Sequence, residues 1–160
     1  MATVSIKGVD RLTKRFNNIA NMELKDTVNK ATQLVHGQAK ALAPVDKGQL
    51  AGSIHMQVKD TGTSIEGRVY TNVEHAAYVE FGTGIKGNGT YPYQIEGLNL
   101  EYKDKGWAYF DEDKGEWIYT TGQEAQPYMY PALKGNEKTI KRMFKDGVHT
   151  KLKQNCSGGQ

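Results

Sequence analysis

The residues of this chain able to do chemistry are four histidines, a glycine-rich run, a group of carboxylates and one cysteine. His36, His55, His75 and His149 do not pair at the spacing of a local metal motif. His55 lies near Ser53, and His75 near Glu74 and Glu80, so each neighbourhood holds parts of a hydrolytic set. Nucleophilic catalysis also needs a base in reach, an oxyanion hole and a nucleophile on a strained turn, and no such elbow occurs. The histidines therefore read as hydrogen-bonding or solvent-exposed groups.

Gly82-Thr83-Gly84-Ile85-Lys86-Gly87 has the form G-x-G-x-x-G. That fingerprint binds a dinucleotide only between a strand and a helix, whose N-terminus receives the pyrophosphate. Asn88-Gly89-Thr90-Tyr91-Pro92 follows and cannot open such a helix, so the run reads as a loop. No Gly-Lys-Ser/Thr is present to form a phosphate-binding P-loop. Asp111, Glu112, Asp113 and Glu116 are too closely spaced for a calcium loop and read as a hairpin turn. Cys156 stands alone, without a disulfide partner or metal spacing. The sequence thus predicts no catalytic, cofactor-binding or metal residues, and no enzyme.

The elements that would position these residues follow from periodicity. Val4–Gly8 is a strand or an extended lead-in. Asp10 can cap a first helix carrying Leu12, Phe16 and Ile19. A longer helix runs from about Glu23 to Ala43 on Leu24, Val28, Ala31, Val35 and Leu42, with Gln38 breaking the row. It ends before Pro44, which disfavours helical geometry in the preceding residue. Asp46-Lys47-Gly48 is a turn. Ile54, Met56 and Val58 then alternate with polar residues, as in a strand, and Lys59–Gly62 turns into a return strand over Ile65–Val73.

Glu74–Phe81 suits a short helix stopped at Gly82. Gly82–Gly106 has no sustained period, and a loop of that length in a compact domain is usually functional or mobile. Trp107–Phe110 and Glu116–Tyr119 flank a second hairpin turn. Pro131 opens a final helix to about Leu152, with Ile140, Phe144, Val148 and Leu152 on one stripe. Gln154–Gln160 has the composition of a disordered tail.

Composition narrows the partners. Hydrophobic residues at 38% and charged residues at 24% are ordinary for a globular protein with one core. The net charge of +3 falls short of the clustered basic excess of most nucleic-acid readers, although Lys138–Lys153 is a basic stretch. A small nucleic-acid-binding protein using that terminal helix is the alternative reading. Nine tyrosines lie between Tyr70 and Tyr130, and tyrosine is favoured at protein contacts. Met1–Ile6 does not read as a signal peptide, and no stretch approaches the roughly 20 apolar residues of a membrane helix. Membrane and small-molecule partners are not expected, and the lone cysteine suits a reducing cytoplasm.

Three segments carry a resemblance. They are Ala41-Leu42-Ala43-Pro44-Val45-Asp46-Lys47-Gly48-Gln49-Leu50-Ala51-Gly52-Ser53-Ile54, His75-Ala76-Ala77-Tyr78-Val79-Glu80-Phe81-Gly82-Thr83-Gly84, and Gln123-Glu124-Ala125-Gln126-Pro127-Tyr128-Met129-Tyr130-Pro131-Ala132-Leu133. In this order they resemble the tail-completion, or tail-to-head joining, proteins of long-tailed bacteriophages and prophages. The resemblance spans roughly Val9 to Phe144, with departures at Lys47, Gln49 and His75. It implies a small α+β domain with a long helix on an antiparallel sheet. It also implies a sixfold ring in the virion neck, between the head-side connector or stopper and the tail tube or terminator. The family has no catalytic residues.

The expectation is an α+β fold: an antiparallel sheet of two hairpins, a long helix in the N-terminal half and a C-terminal helix. Residues 1–153 would form a single domain and 154–160 a disordered tail. Pro44, Asp46, Gly48, Tyr78, Glu80, Pro127 and Pro131 are the structural motif residues, with Tyr78 and Phe81 placing aromatic bulk on the sheet. Gly82, Gly84, Tyr91, Tyr93 and Tyr102 are the candidates for partner contact, on a loop that orders when its neighbour arrives. The expected work is mechanical: subunits form a hexameric ring that completes the tail and docks the head connector, after assembly in the host cytoplasm.

Overall fold

The computed structural model describes residues 9–45 and 48–157, with side chains over 24–45 and 48–147. Asp46 and Lys47 of the predicted turn lie outside the described residues, as does the lead-in Val4–Gly8. The side chains of Asp10, Leu12, Phe16 and Ile19 lie outside the described ones.

The N-terminal part is one helix, α1 (Val9–Leu42), where the periodicity suggested two. Nothing between Ala20 and Glu23 interrupts it, since neither proline nor glycine falls there. It stops ahead of Pro44 as expected, the last turn closing with Ala43 N–H on the Ala39 carbonyl at 2.9 Å. The buried row is Val28, Ala31, Val35, Ala39 and Ala43. Leu24 and Leu42, placed on that row by their type, are about 40% exposed. Two alanines therefore carry the helix past Gln38, and small residues allow close backbone approach.

A short helix, α2 (Gln49–Ser53), leads directly into strand β1 (Ile54–Asp60), which turns into β2 (Ile65–Thr71). The turn is closed by Thr61 N–H on the Ser64 carbonyl, and by Asp60, whose Oδ1 accepts Gly62 N–H at 2.9 Å. Next come α3 (Ala76–Phe81), α4 (Gly84–Gly87), strands β3 (Trp107–Asp111) and β4 (Glu116–Thr120), and the two-residue β5 (Gly122–Gln123). The hairpins remain separate: β1 pairs with β2 and β3 with β4, each as a two-stranded sheet. The fold is α+β, with helices towards both ends and antiparallel hairpins between them.

The final helix differs from its expected form. It is two helices, α5 (Met129–Gly135) and α6 (Glu137–Ser157), and Pro131 is the third residue of α5. Gly135 weakens the helix, and the Asn136 carbonyl accepts Ile140 N–H at 2.9 Å to start the next one. The helix α6 runs on through residues 154–157, which composition assigned to a tail.

The chain divides into two compact units, 1–34 with 56–69 and 136–160, and 35–55 with 70–135. In the first, Thr32 is buried in α1 and donates its hydroxyl to the Val28 carbonyl at 2.7 Å. Gly67 of β2 lies against it, and a Cβ there would overlap the Thr32 hydroxyl. In the second, Leu50, Ile54, Ala76, Tyr128 and Ala132 form the core with Val35, Ala39 and Ala43. Ser53 donates to the Leu50 carbonyl at 2.7 Å and so accepts from Thr71, which ties α2 to the end of β2.

Candidate interaction site

The second unit is organised around Glu80. Its helix α3 is short and apolar, Ala-Ala-Tyr-Val-Glu-Phe, and only 4% of Glu80 is exposed. A buried carboxylate is costly unless its oxygens are hydrogen-bonded. Oε2 accepts the backbone N–H of Tyr128 at 2.7 Å and of Met129 at 2.8 Å, and Oε1 that of Tyr130 at 3.1 Å. These are donors that the first turn of α5 leaves without intrahelical partners. The next residue, Pro131, has no N–H, so the first turn is fully satisfied. Pro127, half-buried, leads into this turn.

The chain between Gly82 and Gly106 is knitted into the same unit. Thr83 and Gly84 bridge to Gln123 and Gly122, and the Lys86 N–H reaches the Thr121 carbonyl at 3.2 Å. Gly84 and Gly122 both have positive φ, 60° and 98°, where their backbones cross. A Cβ at Gly84 would lie 2.5 Å from the Thr121 oxygen, and one at Gly122 would overlap Thr83. Gly82 is buried beside them, with the Ala125 nitrogen 2.8 Å from where its Cβ would stand. The glycine run is therefore a backbone crossing, its open faces filled by the chain itself.

The tyrosines of this segment stack inward. Tyr91 packs edge-on to Phe81 at 5.0 Å between ring centres, Tyr93 on Tyr91 at 5.6 Å, and Tyr93 on Tyr130 at 4.8 Å. Tyr102 donates its hydroxyl to the Phe81 carbonyl at 2.8 Å, and burial raises its pKa. Burial, and then the Glu80 charge, push the Tyr128 hydroxyl up to about 12. The same two causes, in the same order, hold Tyr91 well above the usual tyrosine range.

The five contact candidates thus all take part in packing within their own unit. Three of them, Gly82, Gly84 and Tyr102, also line an open groove of about 1020 Å³. Tyr78, Phe81, Trp107 and Tyr109 add aromatic surface to its lining, which also includes Pro44 and Leu50. Tyr78 is 57% exposed, so its ring faces this groove and solvent where aromatic packing on the sheet was expected; Phe81 packs inward. Lys103 holds its ammonium 4.7 Å from the Trp107 ring centre. Gly48 is exposed at φ 69°, at the N-terminus of α2.

The histidines separate. His36 Nε2 contacts the Ile54 carbonyl at 3.0 Å, His55 packs near Tyr70, and His75 lines the groove; the His149 side chain lies outside those described. Asp111 takes up the second hairpin turn, its carboxylate accepting Lys114 N–H at 3.1 Å. Among the described residues no group of three or more His, Cys, Asp or Glu could hold a metal, and no helix is long and apolar enough to cross a membrane.

Sequence reasoning missed the most exposed aromatic surface. The β3–β4 register pairs Ala108 with Tyr119 and Phe110 with Trp117, placing all four on one face. Phe110 is 48% exposed, Trp117 72% and Tyr119 70%, and the Phe110 and Trp117 rings stand 5.8 Å apart. The opposite face carries Trp107 and Tyr109 into the groove. The available signal was a strand pair apolar on both alternating sets, which leaves one set without a core to enter.

The second unit thus ties distant segments together through buried polar groups and exposes an aromatic hairpin face. Residues 6–82 match the HK97-gp10-like family, described as "Bacteriophage HK97-gp10, putative tail-component". Over that segment, a little under half of the chain, the sequence is similar to this family of bacteriophage tail components. The match contains the Ala41–Ile54 motif and most of His75–Gly84. No curated protein and no solved structure matches the chain.

Proposed function

We propose that this chain is a phage tail component that completes the tail end and joins it to the head connector, as a ring of copies in the virion neck. The observation that carries the reading is the outward face of β3–β4, where Phe110, Trp117 and Tyr119 together stand in solvent. Exposed aromatic patches of this kind mark contact sites, and tyrosine and tryptophan dominate interface energetics. A ring requires two different patches that meet between neighbours and close by rotation. The groove beside Tyr78, shaped by Gly82, Gly84 and Tyr102, offers a further surface for the head or tail partner. Its partners are a head-side connector or stopper and the tail tube or terminator, met in the host cytoplasm. The function needs no turnover.

The test is joining in extracts of a phage lacking this protein. Wild-type chain should restore head-to-tail joining, and a Phe110→Ser, Trp117→Ser variant of unchanged melting temperature should not. Joining by the folded double variant would move the contact elsewhere. Failure of the wild type would remove the joining role.

A further inference from the structure

The hairpin β3–β4 and the helix α6 carry exposed surfaces of opposite charge. The hairpin turn holds four carboxylates, Asp111, Glu112, Asp113 and Glu116, against one lysine. Asp111 is engaged by Lys114, whereas Glu112 and Glu116 are exposed and make no ion pair among the described residues. Behind this acidic tip stand the exposed rings of Phe110, Trp117 and Tyr119, on the strand face opposite Asp111 and Glu116.

The helix α6 is the counterpart. Ile140, Met143, Phe144 and Gly147 are on its half-buried side, with the Thr27 hydroxyl 3.0 Å from where a Cβ on Gly147 would stand. Lys138, Lys141, Arg142 and Lys145 are exposed at spacings of three, one and three, which puts them on one face. Lys141 pairs with Glu137 of the same helix, and the other three make no ion pair among the described residues. That row is about 10 Å long, within the roughly 16 Å of a five-residue strand.

We propose that the acidic, aromatic hairpin of one copy seats on the basic face of α6 of the next copy. Carboxylates attract these cations, and the faces of tryptophan and tyrosine attract them as well. The chain already uses the second attraction in placing Lys103 over Trp107. The two patches differ, so the contact is head-to-tail and propagates around a ring. This deepens the ring proposed above and rests on it.

Sedimentation of the full chain over about two decades of concentration tests the contact. Wild type self-associates reversibly, and added salt weakens the association. A tip variant (Glu112→Lys, Glu116→Lys) and a helix variant (Lys138→Glu, Arg142→Glu, Lys145→Glu) each lose roughly 30-fold or more in affinity. Each keeps one native patch, so an equimolar mixture associates where neither variant does alone. Neutral versions (Glu112→Gln, Glu116→Gln; Arg142→Gln, Lys145→Gln) give smaller losses and serve if a reversed set does not fold. A wild type monomeric throughout, association untouched by both variants, or a mixture that stays monomeric overturns the contact. So does a helix variant that loses only binding to duplex DNA. The joining assay separates this from the parent reading: joining that survives both variants keeps the tail role and removes this interface.

Discussion

The Glu80 carboxylate caps the helix that begins beyond Tyr128, accepting the Tyr128 N–H at 2.7 Å across 48 residues of chain. Both residues are almost wholly buried, so this contact closes the second unit on a charged hydrogen bond. Glu80→Ala would leave three backbone donors without their acceptor. It should lower stability by about 3 kcal/mol or more, since each bond to a charged acceptor contributes about 1.5–3 kcal/mol. Glu80→Gln keeps an acceptor oxygen and should cost less. Denaturant midpoints of the two variants check the order.

Glycine substitutions should divide by what surrounds them. Gly48 has positive φ but open space around it, so Gly48→Ala should cost only about 1 kcal/mol of backbone strain. Gly48→Val, being β-branched, should cost more than that. Gly122→Ala adds a collision with the Thr83 backbone and should be the most destabilising. Urea melts of the three variants test the ranking.

Replacing Thr90–Lys103 by a short Gly-Ser linker should abolish the cooperative unfolding of the second unit. The swap removes Thr90, whose hydroxyl accepts Ala125 N–H at 2.9 Å, together with the Tyr91–Tyr93–Tyr130 stack. Inserting two glycines at Gly97, which is exposed and has open space about it, should be tolerated because loop closure entropy grows slowly with length. Thermal melts by circular dichroism separate the outcomes.

Two tyrosines should respond differently to loss of the hydroxyl. Tyr91 buries its oxygen without a hydrogen bond among the described residues, so Tyr91→Phe should leave the melting temperature unchanged or raise it. Tyr102→Phe removes the bond to the Phe81 carbonyl and should cost about 1 kcal/mol.

Alkaline pH should destabilise the fold through Tyr128. Its hydroxyl titrates near 10 in the unfolded chain and is pushed up to about 12 in the folded one. Below pH 10 both states hold the proton and stability is fully present. Between 10 and 12 the unfolded chain loses its proton first, so stability falls as pH rises. Denaturant midpoints from pH 9 to 11.5 should decline, and Tyr128→Phe should reduce that decline, with Tyr91 and Tyr102, also raised by burial, carrying the rest.

Much of the secondary structure was legible along the chain because its signals are local. Pro44 ends α1 by a steric clash with its neighbour, Gly82 ends α3, and alternation places Ile54, Met56 and Val58 on a strand. The motif segments likewise pointed to the phage tail family that residues 6–82 match. Periodicity alone predicts one helix over α5 and α6, because a stripe of apolar residues hides a single Gly-Asn break. What only the tertiary structure decided depends on partners far apart in sequence. Nothing near Glu80 announces that its acceptors meet donors 48 to 50 residues away, nor does Gly84 announce that Gly122 crosses it. Tyr91 and Tyr93, suited by type to partner contact, stack on Phe81 and Tyr130, since a side chain amphipathic enough for an interface is equally suited to a half-buried wall. The aromatic face of β3–β4 was settled by register, because strand alternation sorts residues into two faces and only packing decides which face meets water.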